Sequence, residues 1–308
     1  LVPLIKKIKN QNGSLKNHTF IFKDKASLNL ASFFFPNINA AVFNGSFFSF
    51  NFLIVIKRIL ECNAIVSPML SRRYLNYLFL FLFWKKFFVP NNFFKSSSLW
   101  MRVVPYNLLT FSGHQASFLI YFYSQANKNF RPSDINPSDI NFKSNEKNIL
   151  KPPRLNIGVG LSCGQHEKHK IPSPEFFSSY FNELSTHINF KLSLFGTSSD
   201  KPIIESFMKD LSKKIETEEF LSLNFQDLFN QMSCCDIGVS GTTGLGHMFA
   251  VSNVKLITFT GVTDERKNGP LSNKQLYINH NLNCGPCYSD NYTSGCNRLK
   301  CMDLILQI

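Results

Sequence analysis

The 308-residue sequence predicts an α/β protein built from two units with mostly parallel sheets. Three observations carry that prediction. Helix-like and strand-like segments alternate along both halves. A stretch rich in Pro, Ser and Asn over 131–153 separates the halves. A glycine-rich turn, 239-VSGTTGLGHMFA-250, leaves a short apolar run and opens a helix near Gly246.

In the first half, 3-PLIKKIKN-10 reads as a helix and 18-HTFIFKD-24 as a strand. The next pair is a helix at 26–34 and a strand at 38–43, followed by a helix at 50–61 and a strand at 63–67. A further helix starts near Arg72, and a strand lies near 86–89. A doubly wound sheet normally opens on a strand with a glycine-rich turn, so that strand is expected before residue 1. Residues 131–153 carry PSDIN twice, too few copies for a repeat architecture, and read as the linker.

The second half restarts with a strand at 155–162 and a loop at 163–172. Ser173, Pro174 and Glu175 then form a helix start. Serine caps the first turn, proline suits the first helical position, and glutamate favours the positive end of the dipole. Phe176, Phe177, Tyr180, Phe181 and Leu184 make the apolar stripe of that helix. A strand at 190–196, a helix from about Pro202, a helix near 226–233 and a strand at 236–240 follow. After the glycine-rich turn come a strand at 254–259 and a loop at 260–270.

The net charge of +13 is uneven. Residues 1–100 hold 13 Lys and Arg against only Asp24 and Glu61, while the remaining residues carry 20 bases and 18 acids. A basic half implies an anionic partner, such as a phosphorylated glycan, nucleic acid or an anionic membrane surface; a solvated basic surface is the plain alternative. No RNP, KH or zinc-finger pattern supports nucleic acid. The first residues lack the apolar core of a secretory signal, and 77-YLFLFLFW-84 is half the length of a membrane span. A cytoplasmic protein is expected, with possible peripheral contact at the inner membrane.

The turn at 239–250 sits where a ligand of such a sheet binds, at the carboxyl end of a strand. Gly241, Gly244 and Gly246 let backbone approach a ligand, Thr242 and Thr243 add hydroxyls, and the helix start adds oriented N–H groups. A diphosphate fits this chemistry. The spacing matches neither a Walker loop nor a dinucleotide fingerprint, and a flexible strand-to-helix turn is the bland alternative.

The segment from Val239 to Pro270 resembles the signature of the family 9 glycosyltransferases, the lipopolysaccharide heptosyltransferases. Those proteins carry Asp-Thr-Gly-x-x-His, a strand, then Phe-Gly-x-Thr-Asp. Thr243, Gly244 and His247 match the first motif; Gly261, Thr263 and Asp264 match the second. The tail 284-CGPCYSDNYTSGCNRLKCM-302 resembles the cysteine-rich ending of many members. Lys170 and the Ser173-Pro174-Glu175 helix start also fit.

The resemblance implies the GT-B fold, two Rossmann-like domains facing a cleft. Residues 1–130 would bind a phosphorylated, lipid-linked saccharide acceptor, and 154–308 a nucleotide sugar such as ADP-heptose. It implies inverting transfer with no required metal. Lys170, Thr242, Thr243, Gly244 and His247 are the candidates for the donor diphosphate and sugar. Asp200 is the candidate for the nucleoside side, and Arg72, Arg73 and His114 for acceptor phosphate. The base aspartate of the family sits in a turn after the first strand, so it is expected before residue 1, and weak or absent turnover is expected of the chain as it stands. Thr242 also departs from the family, which usually has Asp there.

Cys284, Cys287, Cys296 and Cys301 leave three readings open: a structural zinc site, free buried thiols, or disulfides. Function likewise has a leading reading, a glycosyltransferase, and an alternative, an inactive remnant that binds nucleotide or glycan only.

Overall fold

The computed structural model describes residues 2–22, 24–42, 64–66, 86–90, 101–104, 115–127, 130, 154–163, 167–279, 282–289, 292–293 and 300–303. The chain divides into two compact units, Leu1–Ile135 and Asn136–Ile308. The expected linker 131–153, the helices expected at 50–61 and from Arg72, and the run 77–84 lie outside the described residues.

In the first unit, α1 (Val2–Asn12) buries Leu4, Ile5 and Ile8, the one-face spacing of an amphipathic helix. Strand β1 (Phe20–Phe22) leads into α2 (Lys25–Phe34), and β2 (Ala40–Val42) returns parallel to β1. Asp24 caps α2, its carboxylate accepting from the Ser27 N–H at 2.7 Å. Strands β3 (Ala64–Val66), β4 (Lys86–Pro90) and β5 (Met101–Val104) form a second parallel set. Helix α3 (Gln115–Ala126) buries Ala116 and Ile120 and packs on α1.

The second unit is a six-stranded parallel sheet. Its strands are β6 (Leu155–Gly160), β7 (Phe190–Gly196), β8 (Glu216–Leu221), β9 (Ile237–Gly241), β10 (Lys255–Phe259) and β11 (Gln275–Ile278). They lie in the order β11-β10-β9-β6-β7-β8. From β6 the chain winds outward through β7 and β8, then returns to the other side for β9, β10 and β11. This is the doubly wound Rossmann order, and its switch point falls between β6 and β9.

The two faces of the sheet follow the strand period of two. Ile157, Val159, Leu192, Leu194 and Val239 point to one face. There they pack with Phe177 and Phe181 of α4 (Pro174–Leu184) and Phe207 of α5 (Lys201–Asp210). Ser173 caps α4, accepting from the Phe176 N–H at 3.1 Å, with Pro174 at the first helical position, as the sequence predicts. The opposite face is lined by small residues. Gly158 and Gly238 are register partners on β6 and β9, and a Cβ at either would stand 2.7 Å from the Phe249 ring. Phe249 belongs to α7 (Gly244–Val251), so these glycines seat that helix on the sheet. Phe195 completes the face with an edge-to-face contact to Phe249 at 5.5 Å.

Helix α6 (Phe225–Ser233) precedes β9, and its start is capped by Asn224. Strand β8, with Glu216, Glu218 and Glu219, is an edge. Arg154 pairs with Glu216 and Lys191 of the neighbouring β7 with Glu218, so ion pairs tie this charged strand to the rest of the sheet. A short helix, α8 (Glu265–Asn268), interrupts the loop expected at 260–270.

Candidate functional site

Strands β6 and β9 are central and buried, and their carboxyl ends flank the switch point. The chain leaves β9 at Gly241 and enters α7 at Gly244, two residues earlier than the helix start expected near Gly246. Two of the three glycines are explained by packing. A Cβ on Gly241 would stand 2.1 Å from the Lys170 carbonyl oxygen, so the turn before α4 rests directly on the end of β9. A Cβ on Gly246 would stand 2.6 Å from Ser240 Oγ and 2.7 Å from the Gly241 carbonyl oxygen. Gly244 is different. It is exposed, and nothing lies within 4 Å of a Cβ built there.

Thr242 and Thr243 are buried, at 4% and 3% exposure. Thr243 is the residue before the first turn of α7, but its hydroxyl does not cap that turn. Its Oγ1 is buried without a hydrogen-bond partner among the described residues. A buried hydroxyl left unpaired costs about 1–3 kcal/mol, so this atom is poised for a partner that arrives with a ligand. The first N–H groups of α7 have no acceptor inside the helix and add donors beside it. His247, on the same first turn, is exposed, so it stands at the rim and is not packed on the sheet.

Thr242 accepts from the Thr263 hydroxyl at 2.9 Å, and both groups are buried. Thr263 lies in the loop after β10, which runs in register beside β9. The departure at 242 is thus a pair of neutral hydroxyls.

Lys170 closes a short 3-10 turn, Lys168–Lys170, before α4. It is buried and its ammonium pairs with Glu167. Burial lowers the pKa of the neighbouring His169, with the Lys170 charge adding to the effect and Glu167 opposing it. Next to Thr263, Asp264 caps α8 and is gripped by Arg266 Nε at 3.0 Å and Nη2 at 3.1 Å. Those bonds hold the Asp264 carboxyl below its usual range.

Asp200 lies after β7, and its Oδ2 accepts from the Thr197 N–H at 2.7 Å and the Thr197 hydroxyl at 2.6 Å. That carboxylate closes a capping box on the turn Ser198–Asp200. Arg72, Arg73 and His114 lie outside the described residues. So does Cys296; Cys284 is exposed, Cys287 half-buried and Cys301 buried. Among the described residues no group of three or more His, Cys, Asp or Glu side chains could hold a metal ion. Cys301 and Met302 instead pack on Val262, and a Cβ on Gly261 would stand 2.6 Å from Met302 Sδ.

Residues 170–297, from Lys170 through the cysteine-rich tail, match the family model described as Glycosyltransferase family 9 (heptosyltransferase). The match covers that segment, less than half of the chain. The fold agrees across both units. The chain is similar to E. coli ADP-heptose lps heptosyltransferase II, with a TM-score of 0.63 at 13% identity over 90% of this chain and 85% of that one. It is similar in the same degree to a family 9 glycosyl transferase from Veillonella parvula, with a TM-score of 0.63 at 16% identity over 90% and 82%. E. coli heptosyltransferase WaaC with ADP matches with a TM-score of 0.52 at 13% identity over 84% and 92%. None of the curated proteins matches the sequence. The GT-B class expected from the sequence is the class of these structures, and a glycosyltransferase is the enzyme type of the matched family.

Within the matched segment, the structure brings Thr242, Thr243, Gly244 and His247 together, with the Lys170 backbone against the same turn. Thr263 is the contributor that sequence reasoning did not select. The signal was present in the second family motif, because two parallel neighbours place the loops after β9 and β10 side by side.

Proposed function

We propose that the chain binds a nucleoside-diphosphate sugar at the carboxyl ends of β6 and β9, and transfers the sugar to a phosphorylated, lipid-linked saccharide. The donor is ADP-heptose or a related nucleotide sugar. The observation that carries this reading is the buried, unpartnered Thr243 hydroxyl beside the open start of α7. A diphosphate oxygen supplies the acceptor that this hydroxyl lacks. Solved relatives captured with ADP and with ADP-2-deoxy-2-fluoro heptose support the choice of donor class.

In the inverting reaction, a base takes the proton of an acceptor hydroxyl, whose oxygen attacks the anomeric carbon. The bond to the diphosphate breaks, and its electron pair leaves with the nucleoside diphosphate. Charge therefore grows on the diphosphate. The N–H groups of α7, the Thr243 hydroxyl, the Lys170 ammonium and His247 are the donors proposed to stabilise it. Arg72, Arg73 and His114 are the proposed contacts to acceptor phosphate, and Asp200 to the nucleoside. The reaction would run at the cytoplasmic face of the inner membrane.

A second reading, nucleotide binding without transfer, is favoured by one observation. Among the described residues of the first unit, Asp24 is the only acidic side chain, and its carboxylate caps α2. One preparation tests both readings, by titration with ADP and by a sugar-transfer assay with ADP-heptose and a lipid A–core acceptor. Binding with transfer supports the enzyme. Binding alone supports the second reading, and a chain that neither binds nor transfers overturns both.

A further inference from the structure

We propose that Thr263 is a positioning residue that turns Thr242 into a second hydroxyl donor for the bound diphosphate. This rests on the nucleotide-sugar reading of the site.

A threonine hydroxyl has one proton and two lone pairs. Thr263 spends its proton on Thr242 Oγ1 at 2.9 Å. That bond occupies one Thr242 lone pair and leaves the Thr242 proton uncommitted. Among the described residues Thr242 makes no other side-chain hydrogen bond. Both side chains are buried, at 4% and 1% exposure, so water does not freely supply an acceptor. The next residue, Thr243, is the buried hydroxyl with no partner. Two adjacent buried residues thus each keep a hydroxyl proton, and the proposal gives both to the diphosphate.

The pairing also accounts for the neutral residue at 242. A carboxylate there would accept from Thr263 and offer nothing to a phosphate oxygen. A threonine accepts from Thr263 and still donates onward. Held from one side, its hydroxyl rotor is set before the ligand arrives, so less freedom is lost on binding. In this proposal Thr263 acts through Thr242 and is not itself a ligand contact. Its own place is fixed by the loop after β10, where Val262 is buried under Cys301 and Met302. The carbonyl of Val262 also accepts from the Cys287 N–H at 3.0 Å.

The test is calorimetric titration with ADP and with inorganic pyrophosphate. The proteins are the unaltered chain, Thr263→Val, Thr263→Ser, Thr242→Val and the double Thr242→Val/Thr263→Val. Loss of one hydroxyl hydrogen bond to the anionic ligand weakens binding about tenfold or more. Thr242→Val is expected to show that loss for both probes, and Thr263→Val part or all of it. Thr263→Ser is expected to recover most of the affinity, because it keeps the hydroxyl. The double variant should bind no more weakly than Thr242→Val alone, since Thr263 acts through Thr242. A merely structural Thr263 would lower the melting temperature and leave both affinities untouched.

Unchanged affinity in Thr242→Val and Thr263→Val, with the unaltered chain binding, overturns the inference alone. If Thr263→Val fails to fold, Thr242→Val decides by itself, because it removes the donor. An unaltered chain that binds neither probe overturns the nucleotide reading, and this inference with it.

Discussion

Three glycines in one turn have different reasons to be glycine, and alanine at each should separate them. At 241 the added Cβ would stand 2.1 Å from the Lys170 carbonyl oxygen and 3.1 Å from the Ile171 Cα. Ordinary contact begins near 3.4 Å, so one backbone must retreat by more than 1 Å. Neither atom belongs to a side chain that could rotate away. Overpacking of this kind costs about 1–3 kcal/mol, and a backbone collision belongs at the upper end, about 3 kcal/mol. For a unit of this size, that lowers the melting temperature by roughly 6–12 °C. Gly246→Ala meets a side-chain oxygen at 2.6 Å and a backbone oxygen at 2.7 Å, and should cost slightly less. Gly244→Ala meets nothing and has no positive φ to lose, so stability should stay within about 0.5 kcal/mol or rise slightly. Its methyl group would nonetheless stand where backbone approaches the diphosphate, and ADP should bind about tenfold more weakly, an effect of roughly 1.4 kcal/mol. Urea or thermal melts of the three variants, followed by ADP titration, read both effects. A Gly241→Ala chain as stable as the unaltered one, or a Gly244→Ala chain that melts early, would refute the packing argument.

Other outcomes follow from the same geometry. Phe249→Ala empties the space that Gly158 and Gly238 keep for its ring, and should cost about 3–5 kcal/mol in a denaturant melt. Burial first, then the neighbouring Cys234 and Asp236, pushes the Cys235 thiol up to about 12. A raised folded pKa means the stability it contributes is present below the unfolded thiol value, about 8.5, and is lost as pH rises toward 12. Cys235→Ala should therefore flatten the alkaline limb of a stability–pH curve relative to the unaltered chain. Lys170→Gln removes a charged donor and should weaken ADP binding about tenfold or more, with a shallower salt dependence. His247→Ala, altering an exposed rim residue, should change the melting temperature little while weakening ADP binding about fivefold.

Much of the second unit was legible because its elements obey local rules. Ser173 and Pro174 announce α4, and the alternation in 190-FKLSLFG-196 announces a strand with two buried faces. Strand β8 was missed because ETEEFL carries three glutamates, a composition that reads as loop. As an edge strand tied by Arg154 and Lys191, it tolerates that charge. Strand β11 was missed because it is four residues long and its Leu276 is 58% exposed. The helix start at Gly244 was misplaced because glycine is a poor helix former, and tertiary packing on β9 overrides that preference. The turn itself was readable as a candidate ligand site. The hydroxyl pair was not, since Thr242 and Thr263 lie 21 residues apart and only the β9–β10 register brings them together. Asp200 shows the converse: the sequence offers a carboxylate near a strand end, and the structure spends its Oδ2 on Thr197.

The central claim is that the turn after β9 cradles a diphosphate through the buried hydroxyl of Thr243. The most direct test is calorimetric titration of ADP into the unaltered chain and into Thr243→Val. Valine keeps the shape, and removing an unpaired hydroxyl leaves nothing in the fold unsatisfied. The account predicts ADP binding by the unaltered chain, binding about tenfold weaker or more in the variant, and a variant at least as stable in a melt. Equal affinity in the two proteins, or no binding by either, would contradict it.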